Sequence, residues 1–278
     1  MPELPEIELL RRELDREVGD RKVKAVEVPV AGVLSGITRK ALPGEIEGSK
    51  GSGVVRHGML IALTYDKSHE LVISLGAGSR LSRNKERDPV EKGTALVITF
   101  TQGGQLRLVD PDKNAVVEWI AMEDLPDRHP ELAELGLDPV DEPISWTVFG
   151  DALLRRSGKL KGILMDDGFL VGLGPIYSDE ILFHAGLRYD RTPDSLATAE
   201  IRRLYRAVVE TMHDAVKYGG TSLEGDDRWV DLNGEPGSYQ DHLAVYRRAG
   251  EMSPRARGPI AKARYGNLTT YFCEQTQV

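Results

Sequence analysis

From about Lys22 to Ile120 the chain keeps one texture: short β-branched and aliphatic runs, each closed by glycine or another turn residue. The clearest are Lys24 to Val30, Leu60 to Tyr65, Leu71 to Leu75, Ala95 to Phe100 and Gln105 to Val109. Runs of this length and punctuation specify antiparallel strands in a sandwich or barrel. Elsewhere the period changes. From Pro5 to Val18 the residues Ile7, Leu10, Leu14 and Val18 recur at helical spacing, and Gly19 is placed to end the run. After an acidic, proline-containing linker from Asp124 to Pro143, the spacing predicts helices over Trp146 to Arg156, Leu160 to Met165 and Asp179 to Ala185. A fourth, over 199–217, carries Ile201, Leu204, Tyr205, Val208, Met212 and Ala215 on one side. Strands and helices are thus segregated along the chain, which implies an α+β multidomain fold.

At 278 residues and 40% hydrophobic content, the chain can bury more than one core. No apolar run is long enough to span a bilayer, and the acidic start lacks the basic opening of a signal peptide, so a cytoplasmic protein with no membrane partner is expected. The lone cysteine, Cys273, excludes an internal disulfide and any site made of several thiolates.

A net charge of −8 argues against a general polyanion binder, so the distribution of charge matters more than its sum. Residues 1–150 hold 19 Lys and Arg against 26 Asp and Glu, whereas 151–278 hold 17 against 18. In the second half the cations cluster. Arg155, Arg156, Lys159 and Lys161 form one patch; Arg247, Arg248, Arg255, Arg257, Lys262 and Arg264 form another. These are the places for phosphates, although a solvated charged face has the same composition.

The opening run Met1-Pro-Glu-Leu-Pro-Glu-Ile-Glu8 carries chemistry if Met1 is clipped. Pro2 then presents a secondary amine, partly unprotonated near neutral pH, that can attack an electrophilic carbon and form an iminium. Glu3 and Glu6 stand beside it as a general acid and a group to orient the amine or shuttle its proton. The same residues would also suit the first turn of a helix, where proline and acidic side chains are favoured.

That opening resembles the N-terminus of the formamidopyrimidine-DNA glycosylase / endonuclease VIII family. Further matches follow in the family's order: Gly172-Leu-Gly-Pro-Ile-Tyr-Ser-Asp-Glu-Ile-Leu-Phe183, Gly219-Gly-Thr-Ser-Leu223, Gly237-Ser-Tyr-Gln240 and Val245-Tyr246. The resemblance implies a β-sandwich domain over 1–135 with flanking helices, a helix-two-turn-helix domain over 136–240 and a β-hairpin finger over 241–278. It implies a DNA glycosylase with AP lyase activity on damaged or abasic DNA, with Pro2 as nucleophile, Glu3 as acid and Glu6 beside them; a monomer is expected. DNA contacts are expected from Lys161, Arg155, Arg156, Gly172, Gly174, Tyr177 and Arg264. The alternative is a non-catalytic or nearly inactive DNA-binding or regulatory paralogue on the same scaffold.

Several positions depart from the family pattern. A lysine that aids base release becomes Met59, and the methionine, arginine and phenylalanine that fill the opened duplex become Ala77, Asp112 and Asn114. A phosphate-binding asparagine becomes Pro175, and the finger's DNA-contacting arginine becomes Leu268, with Arg264 close by. Three of four zinc cysteines become Ser253, Ala256 and Thr276, leaving Cys273, so a zinc-less hairpin without cofactor is expected. These changes imply weaker duplex binding and base flipping. The acidic, glycine-rich stretch from Gly219 to Gln240 reads as a mobile loop.

Overall fold

The computed structural model describes residues 2–225 and 228–278. The chain divides into two compact units: Met1–Pro2, Glu6–Ala133 and Gly219–Ser238 form one, and Glu3–Pro5, Glu134–Tyr218 and Tyr239–Val278 the other.

The first unit is a β-sandwich. Helix α1 (Leu4–Val18) precedes β1 (Val23–Glu27), β2 (Leu34–Ser35), the short α2 (Leu42–Ile46), β3 (Gly51–His57), β4 (Leu60–Tyr65) and β5 (His69–Ser74). Then come β6 (Arg80–Asn84), β7 (Thr94–Phe100), β8 (Gln105–Val109), β9 (Val116–Ala121) and α3 (Leu125–Arg128). One sheet has the order β1-β7-β8-β6 and the other β2-β9-β5-β4-β3. All pairings are antiparallel except β2 with β9.

The apolar face of α1, read from its spacing, is what the structure buries. Ile7, Leu10, Leu14 and Val18 join Ile61, Leu71 and Ile73 of one sheet and Ile98, Leu106 and Leu108 of the other in a single core. Both faces of β7 are buried, so its sequence runs apolar without alternation. Arg107 of β8 is buried as well. Its guanidinium is satisfied by Gln105 Oε1 and the carbonyls of Asp88 and Pro89, as a buried charge requires.

The segment Gly219–Ser238 groups with this unit, beyond the boundary expected from the sequence. Trp229 and Leu232 lie in the sandwich core. Leu232 N–H donates to Glu13 at 3.0 Å, and its carbonyl accepts from Arg83 N–H at 2.7 Å. Trp229, Leu232 and these bonds hold the stretch around 229–232 to the sandwich.

The second unit is helical with a terminal hairpin. It contains α4 (Trp146–Leu154), α5 (Leu160–Leu164), α6 (Pro175–Ala185), α7 (Thr198–Lys217), β10 (Ala261–Tyr265) and β11 (Leu268–Phe272). Ser145 caps α4, accepting from Val148 N–H. Pro175 opens α6 at its first turn, where a missing N–H costs nothing, and Gly186 closes it in the left-handed conformation at φ 69°.

Helix α6 is buried on nearly every side and carries two adjacent interior carboxylates. Glu180 accepts the N–H groups of Ala244, Val245 and Tyr246. Asp179 accepts from Thr270 Oγ1, Tyr271 N–H and Lys161 Nζ, the last at 2.6 Å. Burial pushes both carboxyls above the usual range. The pair ties α5, the 244–246 turn and the hairpin to one helix, so 241–278 packs as part of this unit rather than as a separate domain.

Candidate active site

Pro2 is half-buried on the wall of a cavity of about 530 Å³ in the sandwich unit. Leu75, Arg80, Asp112, Arg228 and Trp229 share that wall. Arg80 is ion-paired with Glu91. Trp229 Nε1–H donates to Gly219 carbonyl at 3.0 Å, and Trp229 carbonyl accepts from Ser222 Oγ. Met1, whose removal would free the Pro2 amine, lies outside the described residues.

Glu6 is buried in the same unit, and its Oε1 accepts Thr221 N–H at 2.8 Å. A side chain at Gly220 would meet Glu6 and Trp229 Nε1 within about 3 Å, and Gly220 has φ 82°, so glycine is required there twice over. Glu6 therefore anchors the 219–238 segment.

Glu3, the next residue after Pro2, is held within the helical unit. Its Oε2 accepts Gly174 N–H at 2.6 Å and its Oε1 accepts Ile176 N–H at 2.9 Å, with a longer bond from Tyr177 N–H at 3.4 Å. These donors are the first turn of α6, whose partial positive charge complements a carboxylate. Gly172 and Gly174 serve this contact. Gly172 takes φ 67°, accepts Leu4 N–H through its carbonyl and donates to Asp167 Oδ1.

Three of the residues expected to contact DNA are turned inward in this structure. The Gly174 donor is turned onto Glu3. Tyr177 is fully buried, its ring against Tyr239. Lys161 is fully buried as well, its ammonium committed to Asp179, Ser178 and the Pro175 carbonyl. Lys161 offers no exposed surface to a phosphate in this structure.

Arg155, Arg156 and Arg264 remain where a phosphate can reach them. Arg155 and Arg264 are exposed, and Arg156 is half-buried between Asp166 and Gly168 carbonyl. The two loops that carry the wedge departures are locked together in the sandwich unit. Asn114 Nδ2 donates to Ala77 carbonyl at 3.0 Å, Gly76 lies so close to Asn114 that no Cβ would fit, and Asp110 accepts the N–H groups of Asn114 and Ala115. Met59 packs on the sandwich core.

In the hairpin, the residues at the zinc positions do not suit a tetrahedral metal site: one thiol, two hydroxyls and an alanine. Among the described residues no group of three or more His, Cys, Asp or Glu is arranged to hold a metal. Burial pushes the Cys273 thiol up, and hydrogen bonds led by Ser253 more than offset it, leaving the thiol below its ordinary value. Cys273 N–H donates to Gln277 Oε1 and Gln277 Nε2 donates to Leu187 carbonyl, so hydrogen bonds close the base of the hairpin.

Sequence reasoning missed Trp229, Thr221 and the Asp179–Glu180 pair. A tryptophan inside an otherwise polar, glycine-rich stretch was the available signal for the first. Nothing in the spacing marks buried carboxylates on a helix.

Two family models cover most of the chain: the formamidopyrimidine-DNA glycosylase N-terminal domain over residues 1–116, and the formamidopyrimidine-DNA glycosylase H2TH domain over 135–226. The formamidopyrimidine-DNA glycosylase of Pelotomaculum thermopropionicum is 31% identical over all of this chain and 99% of its own length. That of Heliobacterium modesticaldum is 33% identical over the full length of both. The chain belongs to the formamidopyrimidine-DNA glycosylase family. Among solved structures, Lactococcus lactis Fpg in complex with DNA containing an abasic site matches with a TM-score of 0.88 and 27% identity, covering 99% of each chain. A MutM complex with DNA containing carbocyclic 8-oxo-G matches with a TM-score of 0.87, 27% identity and the same coverage.

Proposed function

We propose that the chain is a DNA repair glycosylase with AP lyase activity, working through the amine of Pro2 once Met1 is removed. Family membership makes it an enzyme of DNA repair with DNA as its partner, and the non-catalytic reading is not favoured. The observation that carries the mechanism is the pair of settings for successive residues: Pro2 on a cavity wall, and Glu3 fixed by three backbone N–H groups. In this reading the Pro2 nitrogen lone pair bonds to the sugar's anomeric carbon. The bond from that carbon to the base or to the ring oxygen breaks, and the departing electron pair takes a proton supplied through Glu3. The nitrogen loses its proton as the ring opens, leaving an iminium at the anomeric carbon that acidifies the neighbouring C2′–H; a general base takes that proton, its electron pair forms the C2′–C3′ double bond, and the C3′–O bond breaks to release the 3′ phosphate.

Arg155, Arg156 and Arg264 are the proposed DNA contacts. No zinc is bound: elemental analysis should find less than one zinc per chain, and chelator should leave the melting temperature unchanged. A cytoplasmic monomer fits this reading, and no helix among the described residues is long and apolar enough to cross a membrane.

Borohydride trapping on abasic DNA, with intact mass from the same preparation, tests the mechanism. A covalent adduct on the Met1-free protein is expected. Absence of any adduct on single-stranded, duplex and bubble substrates would remove Pro2 from the mechanism.

A further inference from the structure

The first turn of α6 is a ready-made anion site, and in this chain it is already filled. Gly174, Ile176 and Tyr177 direct their N–H groups at Glu3, Pro175 has none to offer, and Lys161 is sealed against Asp179. A phosphate held by the helical unit needs another seat.

We propose that the groove at the turn between α4 and α5 is that seat: a subsite for a DNA phosphodiester, built by Arg155, Arg156, Lys159 and the hydroxyls of Ser157 and Tyr265. The inference rests on the DNA-binding part of the function proposed above and adds the place, the further residues and the reason for it. The groove encloses about 500 Å³ and is lined by these residues with Gly158, Gly162 and Asp166.

Its parts are set in place by the fold. Gly158, at φ 112° with open space around it, turns the chain so that Lys159 precedes α5 on the exposed side. Arg156 is tethered by Asp166 and Gly168 carbonyl, which also occupies the groove's own carboxylate. Tyr265 sits edge-on to Tyr189, and its hydroxyl lies over Gly162, where a Cβ would come within 2.4 Å of it. Glycine at 162 is what admits that hydroxyl. Arg155, Lys159 and the Tyr265 hydroxyl make no side-chain hydrogen bond or close ion pair among the described residues, and Asp190 is the carboxylate whose charge Lys159 feels. Two unpaired cations, a tethered guanidinium and an unpaired hydroxyl in one groove match a phosphodiester's charge and acceptor oxygens. Lys262 and Arg264, both exposed, alternate with Tyr265 along β10 and so lie on the opposite face of the strand, outside the groove.

The test is fluorescence anisotropy of the full chain on a labelled duplex bearing a non-reactive tetrahydrofuran abasic analogue, over a series of salt concentrations. Arg155→Ala with Lys159→Ala should lower the slope of log affinity against log salt by about two and the affinity at physiological salt about tenfold. Tyr265→Phe should lose a few-fold in affinity with the slope retained, because it removes a hydrogen bond and no charge. Arg202→Ala with Arg206→Ala, exposed cations of α7, is the matched control and should keep the wild-type slope. An unchanged slope in the groove variant, or an equal drop in the control, would overturn the subsite. So would saturable binding of inorganic phosphate to the groove with the duplex slope intact, which would assign it to a free anion. The measurement needs no turnover, so a protein that fails to trap abasic DNA counts against the mechanism while the slope still decides the groove.

Discussion

The Glu3 carboxylate occupies the space that a side chain on Gly174 would need: it accepts Gly174 N–H at 2.6 Å, and a Cβ on that glycine would lie 2.6 Å from Glu3 Cδ. Gly174 itself has an ordinary extended backbone, φ −112° and ψ −161°, and the three atoms nearest to a Cβ there all belong to Glu3. Gly174→Ala should therefore displace the carboxylate and little else. An expected loss of about a hundredfold in abasic-site nicking, with the melting temperature nearly kept, corresponds to a misplacement of roughly 1 Å. Combined with Glu3→Gln, the two losses should fail to add, since both act through one group. Fully additive losses would show that Gly174 acts elsewhere.

Lys161 separates a structural role from a binding one. Its ammonium and Asp179 form a fully buried pair, and removing one partner leaves the other charge uncompensated. Lys161→Ala should cost on the order of 3–5 kcal/mol of stability in denaturant unfolding. Paired replacement by Lys161→Met and Asp179→Leu should recover only part of that loss, because it leaves Thr270 Oγ1 and Tyr271 N–H without the carboxylate they donate to. A stable Lys161→Ala protein with a reduced salt slope would return this lysine to the DNA surface.

The sequence carried the fold well because its signals were local. The helical spacing of Ile7, Leu10, Leu14 and Val18, and the glycine-closed runs that became β4, β7 and β8, each declare their element without help from distant residues. The proposed nucleophile Pro2 and its neighbour Glu3 could be read for a similar reason, as consecutive residues in one short motif. What sequence could not show was which polar groups turn inward. Lys161 and Arg155 belong to one basic run, yet one is sealed and the other exposed; the difference comes from Asp179, 18 residues away from Lys161 and on another helix. The 219–238 segment looked loose by composition and is held by Trp229, Leu232 and Glu6, contacts that only the folded sandwich creates.

Acid should weaken the sandwich unit through Glu8. Burial alone would raise this carboxyl, but hydrogen bonds from Arg11 and Arg12, the Arg11 charge and Arg56 outweigh it and hold it down to about 2. A depressed folded value means the anion stabilises the fold above the ordinary value of 4.5, and that contribution is lost as pH falls toward about 2. The loss should be on the order of 2 kcal/mol across that window. Glu8→Gln lowers stability at neutral pH, because Arg56 is buried beside it, and should flatten the acid limb of a melting-temperature profile. A limb of undiminished steepness in the variant would assign the acid sensitivity to other groups.

Abasic-site processing and base excision should come apart in this protein. An abasic site offers an aldehyde that Pro2 can attack without extruding a base, whereas excision from a duplex requires flipping, which costs a few kcal/mol. The family's filler side chains would offset that cost, but here Ala77, Asp112 and Asn114 sit on two loops fastened to each other by the Asn114 to Ala77 bond and the close approach at Gly76. None is a long apolar side chain, and Asp112 brings a negative charge to the wall of the Pro2 cavity. Trapping and nicking of abasic DNA should therefore exceed release of an intact damaged base from duplex by at least about a hundredfold, the equivalent of roughly 3 kcal/mol. Placing the damaged base in a bubble or single strand should narrow the gap, because flipping no longer opposes the reaction. Asp112→Arg should raise excision from duplex and leave abasic nicking on single strands where it was. Equal rates on intact and abasic duplexes would show that flipping is not the step these loops weaken.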